Sequence, residues 1–538
     1  MRDLTPLPDL ARDAGLTGPV RARRPQYVDL LPPCNAGCPA GENIQAWLAA
    51  ARDKDYEKAW RLLTDDNPFP AICGRVCYHP CESVCNRAEL DSPVAIHAVE
   101  RFLGDMAAKW QHQPLAEPTG KRVLIIGAGP SGLSAAYHLA RRGHAVEVRD
   151  AGTEPGGMMR YGIPAYRLPR DVLAAEIARI QALGVTITCG HPVIDLDAER
   201  RGFDATFVAV GAHLSKHVDI PAREAGRIID AVPFLREVAA GGHPVLGRRV
   251  AVYGGGNTAM DAARTARRLG AGDALIVYRR TRDRMPAHED EASAAEAEGV
   301  TINWLRTIHA FDGPELRVEV MELDASGSPR PTGRLETLAA DTLILALGQD
   351  ADTQFLRAVP GVEFKPDGTV MVGPDMMTGC AGLFAGGDMV PAERTVTVAI
   401  GHGKKAARAI DAYLRGEPAT GGQGKHPLAS FPLLHPWYFA DATPSWQPER
   451  AVPDRLADFA EVTGGLPDPV YEASRCLSCG NCFECDGCVG ACPEDAVIKL
   501  GRGNRYEFDY SRCTGCGACF EQCPVHAIDM TPEAPSCE

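Results

Sequence analysis

Residues 123–126, VLII, form a short unbroken apolar run, and glycines follow it at once. Small and apolar residues then mix with basic ones over 133–142, and a second strand-like run occupies 145–148. A short apolar run bounded by turn residues predicts a buried strand, and the 133–142 pattern predicts a helix. The order repeats downstream, with VAVY at 250–253, a glycine turn, a helix to 270 and a strand at 274–278. FDATFVAVG at 203–211 and DTLILALG at 341–348 read as buried strands ending in glycine, and LFAGGD at 383–388 follows. The chain is therefore expected to return to its first strand–turn–helix unit after an inserted second one. Residues 171–183 and 395–413 read as helices, and 185–189 as a strand. Nearer the N-terminus, 44–63 and 94–110 read as helices. Residues 1–30 are polar, rich in Pro and Arg, and read as irregular. The segment 416–470 is rich in Pro and Gly but carries Phe431, Trp437, Tyr438, Phe439 and Trp446, which predicts a strap lying on the surface.

The two glycine turns carry the first candidate chemistry. Gly127, Gly129 and Gly132 spell G-x-G-x-x-G between strand and helix. The first glycine permits the sharp turn, the second lets backbone approach a pyrophosphate, and the third allows close helix–strand packing. The free N–H groups of the helix N-terminus then face the phosphates. Asp150 ends the next strand, where a carboxylate can hold a ribose hydroxyl. The second turn reads Gly254-x-Gly256-x-x-Ala259, and its following strand ends in Arg279-Arg280 instead of an acid. A basic pair there can grip a 2′-phosphate, which favours NADP(H) over NAD(H); two solvated arginines are the alternative. One such turn is weak evidence, whereas two in one chain, each between strand and helix, are strong.

The length of 538 residues requires several domains. No run of about 18 uncharged apolar residues occurs, so no membrane span is expected. The first residues lack the apolar core of a secretion signal, so a reducing, cytoplasmic setting is expected. The net charge of −14 argues against nucleic acid as a partner and fits docking to a basic face on another protein.

The nineteen cysteines change the picture most. All but Cys189, Cys380 and Cys537 fall in two groups near the chain ends. Cys189 and Cys380 are expected to be small buried side chains. Without a secretion signal, metal ligation is the better reading than a disulfide framework. Cys34 and Cys38 are followed by Cys73, Cys77, Cys81 and Cys85 at four-residue spacing, which on a helix would put the thiols on one face. Four soft ligands in so short a span suit an Fe–S cluster; core cysteines or a zinc site are the alternatives. At the other end, Cys482, Cys485, Cys488, Cys492-Pro and Cys513, Cys516, Cys519, Cys523-Pro are two C-x2-C-x2-C-x3-C-P runs. In such a pair the fourth cysteine of each run ligates the other cluster. One [4Fe–4S] centre is thus assigned to Cys482, Cys485, Cys488 and Cys523, the other to Cys513, Cys516, Cys519 and Cys492.

The motifs CGRVCYHPCESVC, GAGPSGL, PGGMMRYGIPAYRLP, GGGNTAMD, VYRRTRDRMPAHEDE and FAGGDM make the chain resemble the glutamate synthase small subunit. The N-terminal half of dihydropyrimidine dehydrogenase and NADH-dependent ferredoxin:NADP oxidoreductases share them. The resemblance covers roughly residues 30–415. It implies FAD at the first turn, NAD(P)H at the second, and an N-terminal helical domain with [4Fe–4S] clusters. The fused C-terminal module looks more like the flavoprotein subunits that serve 2-oxoacid:acceptor oxidoreductases. No C-x4-C pair follows the first turn, which argues against a flavin that passes electrons to a disulfide.

One departure stands out. Relatives usually carry a C-x2-C pair before the stretch matching Cys34 and Cys38, and here that region is RRPQYVDLLPP. Cys476 and Cys479 are left over at the other end, and they are expected to complete a cluster with Cys34 and Cys85. A second N-terminal cluster would take Cys38, Cys77 and Cys81, with Glu100 or else Cys73 as fourth ligand. The alternative is one N-terminal cluster lost and two spare thiols, so the N-terminal domain holds one or two.

The expected fold is α/β, with an α-helical N-terminal Fe–S domain, two nested Rossmann-like domains and an α+β bacterial ferredoxin-like C-terminal domain. The boundaries run 1–118 for the helical domain, 119–235 and 346–416 for the FAD domain, 236–345 for the NAD(P)H domain, 417–470 for the strap and 471–538 for the ferredoxin module. Candidate cofactor-binding residues at the first turn are Gly127, Gly129, Pro130, Ser131, Gly132 and Asp150, with Gly156, Gly157, Arg167 and Gly211 around it. Gly348, Gly387, Asp388 and Thr395 complete that site, Asp388 meeting the ribityl or pyrophosphate region of the flavin. The helix from 395 would aim its N-terminus at the flavin ring. At the second turn the candidates are Gly254, Gly256, Asn257, Thr258, Ala259, Arg279 and Arg280. The expected function is electron movement between NAD(P)H and a ferredoxin or a larger catalytic subunit, of 2-oxoacid oxidoreductase or glutamate synthase type, within a hetero-oligomer. The alternatives are a glutamate synthase small subunit and, from another class, a non-enzymatic electron-wire subunit; intact glycines at both turns speak against the latter.

Overall fold

The computed structural model describes residues 21–216, 220–223, 227–418 and 426–533. Cys537 and residues 1–20 of the N-terminal stretch lie outside them.

The first apolar runs assemble into a parallel sheet in the order Leu383–Ala385, Ala205–Val208, Arg122–Ile126, Ala145–Arg149, Thr186–Thr188. Ile126 stands beside Arg149 on one side and Val208 on the other, so the glycine turn leaves the carboxyl edge of the central strand. The helix Pro130–Arg141 packs against the long helix Val396–Arg415. A second parallel sheet is inserted in the order Val300–Trp304, Asp273–Tyr278, Arg249–Tyr253, Thr342–Leu345, Arg227–Asp230. It takes in Arg227–Asp230, which precedes the expected start at 236. The run at 341–348 belongs to this second sheet, and the chain rejoins the first only at Leu383–Ala385. A four-stranded sheet, Pro329–Ala339, Glu315–Leu323, Arg306–Asp312 and Ala222–Arg223, flanks the insertion.

Four local expectations are corrected. The helix expected over 44–63 is two helices, Ile44–Arg52 and Tyr56–Thr64. Lys54 turns left-handed at φ 62°, and the Asp55 side chain accepts from Lys58 N–H, starting a new helix. The cysteines from 73 to 85 do not share one helix face. Pro80 has no N–H to continue the helix begun at Pro70–Val76, so Cys77 is extended, His79 turns at φ 44°, and Pro80–Ser83 starts afresh. Arg23–Tyr27 is not irregular: it pairs antiparallel with Ile528–Pro532 and joins the two chain ends. Cys189 and Cys380 are half-buried instead of buried, each lying just beyond or outside a strand end.

The helical domain is clamped to the first sheet. Gly74 and Gly104 let Pro70–Val76 cross Ile96–Met106 closely; a Cβ at Gly74 would sit 2.4 Å from Arg101 N. The buried Glu176 carboxylate accepts from Ala71 and Ile72 N–H at 3.1 and 3.2 Å, capping the helix that carries Cys73. Lys404, from the long helix, donates to Ala40 O, Gly41 O and Asp66. The described part of the segment expected as a strap bonds to Arg87, His97 and Tyr166.

Candidate functional site

A continuous cavity of about 1310 Å³ runs from the first glycine turn to the second. At Gly129 and at Gly256 an added Cβ would meet no protein atom within 4 Å, so both second glycines leave open space above the backbone. The helices that follow, Pro130–Arg141 and Asn257–Arg268, have no side-chain cap on their first N–H groups. Free helix N-termini beneath open space are phosphate cradles. The Ser131 hydroxyl is buried in the cavity wall without a partner. These observations fit a dinucleotide at each turn.

Most candidate residues face this cavity: Gly127, Gly129, Pro130, Ser131, Asp150, Gly157, Arg167 and Gly211, then Gly254, Gly256, Asn257, Thr258, Arg279, Arg280, Gly348, Gly387, Asp388 and Thr395. Gly132, Gly156 and Ala259 do not. They close the turns from behind: a Cβ on Gly132 would lie 1.9 Å from Gly127 O, and Gly156 N–H donates to Ala128 O. Asp150 accepts from Ala128 N–H at 2.6 Å and Gly152 N–H at 2.7 Å, so the carboxylate is fixed at the strand end. Burial pushes the Asp388 carboxyl up to about 6. Thr395 accepts from Val398 N–H at 3.2 Å and caps the long helix, whose N-terminus opens on the cavity. The Arg167 guanidinium is held by Asp261 at 2.8 Å and by Glu291, joining the two nucleotide units. Arg279 and Arg280 differ from it. They line the cavity, and among the described residues neither has an ion-pair partner.

Tyr78 is a residue that sequence reasoning missed. It reaches the cavity from the helical domain and stacks on His288, ring centroids 3.5 Å apart. Its place beside Cys77 was the available signal. No cysteine lines the cavity among the described residues.

The other candidates gather in four places. Cys492, Cys513, Cys516 and Cys519 line one small cavity. Cys482, Cys485 and Cys488 each feel the charge of Cys523, and burial, with the neighbouring thiols second, pushes the Cys488 thiol up to about 12. The fourth cysteine of each run therefore stands with the other run. In the helical domain, Cys38, Cys73, Cys77, Cys81 and Glu100 form one group linked through Cys77, and burial raises each of the four thiols and the carboxyl. Glu100 accepts from Asn67 at 2.9 Å. The Thr397 hydroxyl of the long helix donates to Cys77 Sγ at 3.1 Å, and the residues flanking the pair, Val76, Tyr78 and Val396, line the nucleotide cavity, so this group adjoins it. Last, Cys34, Cys85, Cys476 and Cys479 line a cavity walled by Pro33, Leu48, Val94 and Ile96. Backbone N–H groups approach several of these sulfurs: His79 to Cys77, Ser478 to Cys476, Gly515 to Cys513, Ala496 to Cys492 and Ala527 to Cys523, at 3.2–3.4 Å. Thiol groups gathered by fours, with N–H donors aimed at sulfur, suit [4Fe–4S] clusters. Among the described residues, no helix is long and apolar enough to cross a membrane.

The comparisons agree with this geometry. Residues 121–403 match the pyridine nucleotide-disulphide oxidoreductase family. Residues 26–112 match dihydropyrimidine dehydrogenase domain II, 4Fe-4S cluster, and 506–529 match a 4Fe-4S binding domain. The chain is 38% identical to the beta subunit of an NADP(+)-dependent formate dehydrogenase of Moorella thermoacetica, over 83% of this chain and 70% of that one. It is 33% identical to an NADPH-Fe(3+) oxidoreductase subunit beta of Geobacter sulfurreducens, over 87% and 78%. It is 35% identical to the NAD-dependent dihydropyrimidine dehydrogenase subunit PreT of Escherichia coli, over 71% and 91%. Among solved structures, Lactococcus lactis thioredoxin reductase overlays 55% of this chain and 99% of its own, with a TM-score of 0.45 and 22% identity. The chain belongs to the pyridine nucleotide-disulphide oxidoreductase family, and is an NAD(P)H-dependent FAD oxidoreductase set between an N-terminal iron–sulfur domain and a C-terminal 4Fe-4S module.

Proposed function

We propose that the chain is the nucleotide-handling subunit of a larger cytoplasmic redox assembly, moving electrons between NADP(H) and a partner catalytic subunit or a ferredoxin. The observation that carries this reading is the Thr397–Cys77 contact. It joins a cavity fit for two dinucleotides to a row of cysteine sites that ends at the exposed Cys516. A bound FAD would supply hydride exchange with a nicotinamide and one-electron exchange with iron–sulfur clusters.

The residues bind and orient. Gly129 and Gly256 admit the pyrophosphates to backbone N–H groups, and Asp150 holds the ribose of the first nucleotide. Arg279 and Arg280 are uncommitted and take the 2′-phosphate of the second. Arg167, with Asp261 and Glu291, sets the orientation of one nucleotide unit on the other. Cys482, Cys485, Cys488 and Cys523 hold one C-terminal cluster, and Cys513, Cys516, Cys519 and Cys492 the other. Cys38, Cys77, Cys81 and Glu100 hold the N-terminal cluster nearest the cavity, with Cys73 as the competing fourth ligand.

Relatives named as beta subunits of a formate dehydrogenase and of an Fe(3+) oxidoreductase support a hetero-oligomer. The test is an anoxic titration of the purified chain with NADPH and NADH, reading flavin bleaching and viologen reduction. Bleaching at lower NADPH than NADH, with dye reduction, is expected. Absence of bleaching by either nucleotide would leave only the electron-wire reading. Proteins retained on the chain in its native host then identify the partner. A glutamate synthase large subunit among them would favour that second reading.

A further inference from the structure

Cys476 and Cys479 lie between the regions matched to iron–sulfur families, 26–112 and 506–529. They nonetheless face Cys34 and Cys85 across one cavity, although the two pairs are drawn from opposite ends of the chain. We propose that Cys34, Cys85, Cys476 and Cys479 form a single [4Fe–4S] site shared between the helical domain and the ferredoxin module, and that this site is the bridge between them. The inference rests on the electron-transfer reading above.

The segment bearing Cys476 is fixed by groups other than the thiols. The helix Pro469–Ser474 starts at Asp468, whose side chain accepts from Tyr471 N–H. Glu472, fully buried, accepts from Ala95 N–H and Ser445 N–H, both at 2.8 Å, and pairs with Arg475 at 2.6 Å. Arg475, 2% exposed, donates onward to Asp91 and to the carbonyls of Ser92, Pro93 and Ala442. This network grips residues 91–95, just beyond Cys85. The Cys476-x2-Cys479 spacing is therefore delivered to a prepared place. There Asn86 donates to Cys479 Sγ at 3.3 Å, Ser478 N–H donates to Cys476 Sγ, and Gln45 holds Ser478. Apolar walls with donors aimed at sulfur are what a cluster site needs. Two spare thiols would not need a buried ion pair to aim them at two others.

The site also occupies the right place in the row. Cys34 and Cys38, like Cys81 and Cys85, belong to neighbouring sites four residues apart, and Cys479 and Cys482 are three apart. Four residues span at most about 14 Å, so the bridging site is close to the sites on both sides. Without it, the first ferredoxin site would lack a neighbour on the side of the helical domain.

The test uses the full chain, purified without oxygen. Cys34→Ser, Cys476→Ser with Cys479→Ser, and all three together are compared for iron and sulfide per flavin. Each is expected to lose about four irons, and the combination no more than either parent. NADPH should still bleach the flavin in these variants, while NADPH-driven reduction of the ferredoxin-module clusters, followed by EPR, is lost and dithionite still reduces them. Unchanged iron in the Cys476/Cys479 variant, or losses that add, would overturn the proposal. Cys380→Ser, outside every cysteine group, is expected to keep its full iron. The unaltered protein gives a second measurement that does not depend on variants folding. During stepwise oxidative cluster loss, alkylation should reach Cys34, Cys85, Cys476 and Cys479 together. Alkylation of Cys476 and Cys479 while Cys34 and Cys85 stay protected would overturn the shared site. If wild-type flavin fails to bleach, the functional reading falls and the iron count still decides the site.

Discussion

The two cysteine-rich ends of this chain reach similar chemistry by different means. In the C-terminal module, two runs of identical spacing fold on each other, and the exchange of Cys492 and Cys523 is completed within about forty residues. In the helical domain, proline breaks the run from Cys73 to Cys85, and its cysteines are split between two sites. One of those sites is closed from nearly four hundred residues away, by a segment anchored through Glu472 and Arg475. Local spacing can carry a site alone when all ligands lie in one short loop system. A site assembled from distant segments needs a separate anchor, because loop closure over a long chain costs conformational entropy that ligands alone must otherwise offset.

The difference can be broken at the anchor. Arg475→Ala leaves the buried Glu472 without its cation, while Asp91 keeps Arg87, and is expected to cost about 3–5 kcal/mol. Iron should fall by the bridging site's share, with both C-terminal clusters retained; differential scanning calorimetry and EPR check this. Equal loss from both ends would erase the contrast.

A pH effect sharpens it next. Burial pushes Glu176, the cap on the Cys73 helix, up to about 7. The folded state thus binds the proton more tightly than the unfolded chain, so this carboxyl's contribution is full at acid pH. It declines as pH rises from the ordinary Glu value of about 4.3 through 7, by at most about 4 kcal/mol. The C-terminal acids Asp486, exposed, and Asp509, half-buried, are lowered instead, by Lys499 and Tyr506 and by Ser511. Urea melts from pH 5 to 8 should show stability of the helical domain falling with pH, and Glu176→Gln should flatten the slope.

A control common to both ends comes third. Arg280→Ala should weaken NADPH binding about tenfold, the low end of a charge-assisted hydrogen bond, without changing NADH binding or iron. Fluorescence titration with both nucleotides measures it. The smallest effect is expected from Asn86→Ala, which removes one donor to Cys479. Loss of about 1 kcal/mol of differential stabilisation corresponds to a shift of roughly 40 mV in that site's one-electron potential. EPR-monitored redox titration should place the shift at the bridging site and leave the C-terminal potentials in place.

Much of the molecule was legible beforehand. The two glycine turns, the strands on which they sit and the swapped ferredoxin ligands are local patterns whose spacing already encodes their geometry. The helical domain was less legible: Pro80 ended a helix that cysteine spacing suggested, and the polar run Asp53-Lys54-Asp55 divided another. Arg23–Tyr27 looked irregular because a strand with two arginines and a proline shows no alternation. Its partner, Ile528–Pro532, lies at the far end of the chain.

The sequence by itself determined the chemistry: which residues can cradle phosphate, which can hold iron, and that a basic pair follows the second turn. These depend on residue type and short spacing, and both survive without a fold. Tertiary structure alone decided the pairings. It brought Thr397 to Cys77 and Tyr78 into the nucleotide cavity, and of the two readings the sequence left open for Cys476 and Cys479 it set the pair beside Cys34 and Cys85. Such contacts follow from how buried faces and ion pairs dock distant segments, and no local pattern records that docking.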